Sequence, residues 1–310
     1  MSMKKVFTAV LAFCILFCMP VYVSAEDNKN QKEYALPILM YHNIHSKNTG
    51  KYTLSPKALE EDIIYLKEQG YTTIVVQDLI NYKEKGAPLP AKPIMLTFDD
   101  GCTNNYTNVL PLLRKYNVKC VLSTVGAWTD SNYKNGVLDE TGSHLNYAQM
   151  KEMYLSGLVE LQNHTYDLHK HQNGRTGLKR KKGESFEEYK KLLSADLTKW
   201  KDKTKQNIGA EFTAVTFPFG AYCESSVEII KELGYKMVLG CWEKVNHINQ
   251  DSDNFILHRY NRPAGISTKS FFAKFENQVT TVAVLKYCHP ERSRRILTNF
   301  SKNAKNLLTN

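Results

Sequence analysis

The chain has no CxxC pair and no visible internal repeat, and it is not rich in glycine or proline, with 16 and 10 among 310 residues. The ordinary glycine and proline content excludes collagen-like and low-complexity chains. Without CxxC, a thiolate zinc site has no support. Of seven cysteines, Cys14 and Cys18 fall in the first 25 residues. The other five, Cys102, Cys120, Cys223, Cys241 and Cys288, are odd in number and scattered. That pattern suits small buried hydrophobes, not a disulfide framework. The excess of positive charge is also missing where a nucleic-acid surface would need it. The net charge is +10, yet residues 26–279 hold 33 basic and 30 acidic residues and carry only +3. Lys4 and Lys5 sit in the leader, and residues 280–310 hold six basic residues against Glu291. The body is nearly neutral, so no nucleic-acid partner is expected.

Residues 1–25 read as a secretory signal peptide. Lys4 and Lys5 form a positive start, Val6 to Met19 is an uncharged run, and Pro20 and Val23-Ser24-Ala25 suit cleavage. Cleavage implies an extracellular or cell-surface location and no stable membrane span afterwards. The alternative is an uncleaved anchor. Residues 26–35 read as a polar linker, 36–279 as the folded domain, and 280–310 as a basic tail outside the core.

From residue 36 the pattern alternates between strand-like and helix-like segments. Leu36–Tyr41, Tyr71–Val76, Pro93–Phe98, Lys119–Val125, Leu158–Leu161, Phe212–Phe217, Tyr235–Leu239 and Phe255–Tyr260 are apolar or β-branched runs that predict strands. Helices are predicted from Ser55-Pro56 to Gly70, over 79–85, 105–116, 147–156, 186–203 and 225–233, and in a short final stretch at 270–275. Seven or eight strands alternating with helices imply an α/β fold with a parallel sheet, either open and doubly wound or closed as a barrel. In both, function belongs at the C-terminal ends of the strands.

Three polar clusters fall at such ends. Asp99-Asp100-Gly101 follows the strand PIMLTF, and two adjacent carboxylates there are costly to bury unless paired or metal-bound. One could hold a cation while the other serves as a base. His164 and His169 follow the strand at 158–161, and on a loop two imidazoles can converge with one carboxylate on a catalytic Zn²⁺. Phe217-Pro218-Phe219-Gly220 follows a third strand and can offer a backbone N–H to an oxyanion. Each cluster is weak alone. Their conjunction on one α/β domain is strong.

In these motifs the chain resembles the polysaccharide deacetylase family, carbohydrate esterase family four, over about residues 36–276. TFDDG at 97–101 resembles the family's first motif, which implies Asp99 as catalytic base and Asp100 as metal ligand. HTYDLH at 164–169 resembles the second and implies His164 and His169 as the other ligands. TFPFG at 216–220 is similar to the third, with the Phe219 amide helping to hold the oxyanion. The resemblance implies a distorted (β/α) barrel, a divalent cofactor (Zn²⁺), and N-deacetylation of an N-acetylglucosamine-containing polysaccharide.

The departures matter. The histidines are five residues apart instead of the commoner four, which resembles the branch acting on poly-N-acetylglucosamine exopolysaccharide. Thr216 stands in the neighbourhood where the third motif often has an Arg that orients the base, and Arg259 is the candidate substitute. Cys241-Trp242-Glu243 matches the fourth motif only loosely. No C-terminal strand supplies the fifth motif's general acid. Ile38 to His42, ILMYH, has that pattern at the other end of the chain, and in a closed sheet the first and last strands can be neighbours. His42 is therefore the expected acid. The competing readings are a deacetylase of peptidoglycan or of an O-acetylated polysaccharide, and a non-catalytic carbohydrate-binding protein of the same fold.

Overall fold

The apolar runs assemble into one parallel sheet. A computed structural model describes residues 32–47, 50–134, 137–138 and 143–287, and all of these except Lys32 belong to a single unit, Glu33–Asn310. The expected signal peptide, residues 26–31 of the expected linker, residues 288–310 of the expected tail, and Cys288 lie outside the described residues. In chain order the principal strands are β1 (Tyr34–Leu36), β2 (Ile38–Tyr41), β3 (Thr72–Thr73), β4 (Pro93–Phe98), β5 (Cys120–Thr124), β6 (Val159–Asn163), β7 (Ala214–Thr216), β8 (Met237–Leu239), β9 (Asn246–Ile248), β10 (Ile256–Leu257) and β11 (Tyr260–Asn261). The helices are α1 (Pro56–Glu68), α2 (Val76–Lys85), α3 (Leu110–Tyr116), α4 (Gly126–Ser131), α5 (Tyr147–Leu155), α6 (Phe186–Ile208), α7 (Glu224–Glu232) and α8 (Thr268–Tyr287).

The sheet runs β10-β8-β7-β6-β5-β4-β2-β11, with β3 added beside β4. Its pairings are parallel, so all the C-terminal strand ends meet on one rim. The two end strands, β10 and β11, are consecutive in the chain and only His258 and Arg259 separate them, so the sheet curls round until its edges meet. They do not pair with each other, and the barrel stays open there. The chain's first sheet strand thereby neighbours its last, with Leu39 opposite Tyr260 and Met40 opposite Asn261.

Successive residues on the strands enter two different apolar clusters. Leu39, Leu96, Leu122 and Val238 pack with the helices, while Ile38, Met95, Val121 and Leu239 pack on the other face with β1 and α2. A sheet buried on both faces explains why its strands read as continuous apolar runs. A buried ion pair ties the outer layer to the end of β11. Arg262 donates from Nε and Nη2 to the two Asp62 oxygens at 2.8 and 3.1 Å, and the Tyr41 and Thr268 hydroxyls donate to the same carboxylate.

Several sequence expectations need correction. The run Tyr71–Val76 yields only the two-residue β3, because the Asp78 carboxylate accepts the Val75 N–H at 3.0 Å and starts α2 at Val76. A side-chain cap here outweighs β propensity. The strand at 158–161 instead runs Val159–Asn163. The single strand at 255–260 is interrupted, since the His258 and Arg259 N–H groups bond to the Asn246 side chain and the Trp242 carbonyl. Residues 34 and 35 of the expected linker are buried in β1, which pairs antiparallel with β9. The short final helix is twenty residues long and crosses the expected boundary at 279, because Phe271, Phe272 and Phe275 dock it on the core. Among the described residues no helix is long and apolar enough to cross a membrane, and Cys102, Cys120, Cys223 and Cys241 are free thiols.

Candidate active site

The rim where the strands end holds the polar clusters. β4 ends at Phe98, and Asp99 still donates its N–H to the Tyr41 carbonyl at 3.0 Å, as if the ladder continued. The chain then turns through two left-handed residues, Asp100 at φ 74° and Gly101 at φ 71°. A Cβ on Gly101 would lie 2.9 Å from Thr124 Cγ2, so the tight turn needs glycine. Holding Asp100 left-handed costs on the order of 1–3 kcal/mol. That turn aims the two neighbouring carboxylates at different partners.

Asp99 is 2% exposed and meets Arg259, which is fully buried. The guanidinium grips it as a fork, Nη1 to Oδ1 at 2.8 Å and Nη2 to Oδ2 at 2.9 Å. Arg259 is itself fixed by donating to the Gly240 carbonyl at 2.7 Å and the Thr97 hydroxyl at 3.0 Å. Burial alone would raise the Asp99 pKa, but Arg259 and then His164 more than offset it and hold it below the usual carboxylate range.

Asp100 faces the two histidines. Its Oδ1 lies 3.5 Å from His164 Nε2 and 3.3 Å from His169 Nε2. The ligand-capable atoms of the three all lie within 4.8 Å of one another. His164 Nδ1 is 3.0 Å from the Thr216 carbonyl, which can only accept. Nδ1 therefore carries the hydrogen, and in the neutral ring Nε2 turns its lone pair toward Asp100. Asp100 Oδ1 is buried and has no hydrogen-bond partner. An orphaned anionic oxygen beside two imidazole Nε2 atoms is a donor set that fits a divalent cation. Burial pushes the Asp100 carboxyl up, but His164, His42 and His169 hold it well below the usual range. Burial pushes His164 down, but Asp100 and Asp99 raise it above the usual value. The field that draws a proton to His164 also draws a cation. His169 is lowered to about 4, by burial and then by His164, so it is neutral and able to ligate at physiological pH.

The Phe217–Gly220 turn forms the next wall. Phe219 is left-handed at φ 58°, and the N–H groups of Gly220 and Ala221 are used by the Phe217 and Pro218 carbonyls, which leaves the Phe219 N–H out of this bonding. The Phe219 ring lies between two imidazoles, 4.5 Å from His169 and 4.1 Å from His171, and so fastens this turn to the histidine loop. His42 follows β2 on the rim, with its carbonyl bonded by the Asn105 side chain at 3.0 Å and its ring 4.7 Å from that of Tyr52. Burial lowers its pKa, against the pull of Asp99 and Asp100.

His42, Asp99, Asp100, His164, His169 and Phe219 thus line one cleft of about 440 Å³. Arg259 lies beneath it, behind Asp99. Thr216 contributes its carbonyl to His164, a role no side-chain motif announces. Tyr52, also in the cleft, comes from a loop with no sequence signal. Trp242 holds Arg259 by accepting its N–H at the carbonyl at 3.1 Å, while the residue is 46% exposed. The His258 side chain is not part of the cleft lining.

Residues 86–238 match the family model of the polysaccharide deacetylases. Residues 86–238 thus form a polysaccharide deacetylase domain. YxkH of Bacillus subtilis (strain 168), named for the same family, is 28% identical over 249 residues, 80% of this chain and 79% of that protein. The poly-beta-1,6-N-acetyl-D-glucosamine N-deacetylase of Staphylococcus aureus (strain MSSA476) is 24% identical over 276 residues, 81% of this chain and 90% of that protein. Among solved structures, the Streptococcus pyogenes deacetylase PplD in complex with acetate superposes with a TM-score of 0.64 at 21% identity, covering 79% of this chain and 100% of that one. The chain accordingly has the fold of these proteins, a curled parallel sheet wrapped by helices, and its site lies on the rim that the strand ends define.

Proposed function

We propose that the chain is an exported, metal-dependent hydrolase that removes N-acetyl groups from an N-acetylglucosamine-containing polysaccharide and releases acetate. The observation that carries this reading is the buried, unpartnered Asp100 Oδ1 facing His164 and His169 in the cleft that also holds Asp99. Asp100, His164 and His169 would hold the ion, and two imidazoles with one carboxylate suit Zn²⁺. Bound there, the ion would polarise the acetamide carbonyl and make a water molecule more acidic.

The chain's own residues do the rest. Asp99, kept ionised and oriented by the Arg259 fork, takes a proton from the attacking water. The Phe219 N–H donates to the carbonyl oxygen as negative charge develops on it. His42 delivers a proton to the leaving amine. With its pKa lowered, His42 enters the cycle neutral, so the proton that Asp99 has taken is passed on to it before the C–N bond breaks. The kinship with the S. aureus protein supports a poly-β-1,6-linked N-acetylglucosamine polymer as substrate. The leader, Lys4 through Ala25, supports export to where such a polymer lies.

Purified protein with Zn²⁺ should release acetate from β-1,6-linked N-acetylglucosamine oligomers, and a chelator should stop it. No release from these, with release from peptidoglycan, would change the substrate. No release from any acetylated polymer would overturn the enzymatic reading. In the same assay His42→Ala should lower turnover by about 10²–10⁴-fold while the zinc content stays at the wild-type level. Wild-type turnover in that variant would remove His42 from the mechanism.

A further inference from the structure

Two ligand candidates sit at the ends of a loop, residues 164–169, which leaves the sheet after the His164 N–H donates to the Thr124 carbonyl at 3.0 Å. Its second residue, Thr165, is β-branched and yet left-handed at φ 74°, a conformation that persists only where the surroundings over-determine it. Part of the restraint is main-chain bonding. Gly126 and Ala127, at the start of α4, donate to the Thr165 and Tyr166 carbonyls at 3.1 and 2.7 Å. Asn163 Oδ1 accepts the Thr165 N–H at 2.8 Å. The next two N–H groups, at the apex of the loop, both go to a single carboxylate on another element. Asp196 of α6 accepts Tyr166 N–H at Oδ1 and Asp167 N–H at Oδ2, each at 2.8 Å.

We propose that Asp196 is a positioning residue for the metal ligands, holding the apex of the loop so that His164 and His169 converge with Asp100. The inference rests on the metal-site reading of Asp100, His164 and His169. Asp196 acts through the loop, and its two oxygens bond to backbone N–H groups that lie between the histidines. One carboxylate spanning two consecutive N–H groups fixes the peptide between them in both position and tilt. It stands on a helix of 23 residues whose buried face includes Leu197 and Trp200, so the anchor is stiffer than the loop it holds. The same helix also bonds the start of the loop, because the Leu197 carbonyl accepts the Asn163 side-chain N–H at 3.0 Å. The five-residue spacing between the histidines leaves four residues to be placed, and Asp196 meets the two at the centre.

The test is the zinc affinity of the full chain, measured by competition with a chromophoric chelator at neutral pH, beside a thermal melt of the metal-free protein. Asp196→Ala should weaken zinc binding by about 10–100-fold, the range for groups that orient ligands from behind. Asp196→Asn, which keeps one acceptor oxygen, should show a smaller loss and decides the matter if the alanine variant does not fold. Ile63→Ala, a core cavity on α1, should lower the melting temperature and leave zinc affinity unchanged. Wild-type affinity in the Asp196 variants would overturn the proposal, and so would an equal loss in Ile63→Ala. Wild-type protein that binds no zinc would overturn the metal-site reading itself, and this inference with it.

Discussion

Arg259→Met is expected to destabilise the protein by about 3–5 kcal/mol, because it leaves the Asp99 carboxylate buried without its partner. The guanidinium and carboxylate are both almost wholly shielded from water and make two short parallel bonds, so neither can turn to solvent when the other is removed. The sign with pH is specific. In the wild type the Asp99 pKa is depressed, so its contribution is present above the unfolded carboxylate pKa and is lost as pH falls through the folded value. In the variant, burial without Arg259 raises that pKa, so Asp99 is held protonated and its deficit shrinks on acidification. Urea unfolding of both proteins at several pH values checks this. Asp99→Asn combined with Arg259→Met should recover part of the loss, since an amide at residue 99 neither carries a charge nor has to take up a proton when buried. A single variant as stable as the wild type at neutral pH would mean that the pair does not hold this rim together.

The second large effect is on turnover. Asp99→Asn should lower acetate release by about 10²–10⁴-fold, the usual weight of a general base. Zinc affinity should stay close to that of the wild type, because Asp99 is not among the three residues whose ligand atoms converge. Turnover and zinc binding therefore separate Asp99 from Asp100, although the two residues are adjacent. Asp100→Asn should fail on both measurements. An Asp99→Asn enzyme with full turnover would assign proton removal to another group, and His42 is one titratable group in the cleft that could take it.

Much of this arrangement is legible in the sequence. TFDDG, HTYDLH and TFPFG each follow an apolar run, and the rule that parallel strands end on one rim brings them to one place. The expectation that ILMYH puts His42 beside the last strand also matches the pairing of Leu39 with Tyr260. The mismatches are local. YTTIVV has every mark of a strand, but one aspartate two residues past it caps a helix instead. FILHRY reads as a single strand, but Arg259 leaves the ladder because its side chain has a buried acid to reach. The final helix reads short in sequence because its docking phenylalanines all lie in its first turns.

Local pattern is enough for the order of strands and helices and for the residue types that gather at the strand ends, since apolar runs, caps and turn glycines act over a few residues. Partner choice is not local. Arg259 lies 160 residues from Asp99, and the two meet only because the sheet curls until β10 and β11 stand at its open seam. The Thr216 carbonyl sets the His164 tautomer from 52 residues away, and Asp196 reaches the loop from a helix with no motif of its own. Such contacts depend on how far the sheet bends and how the helices seat against it. Those are outcomes of packing the whole core, and no short stretch of residues encodes them.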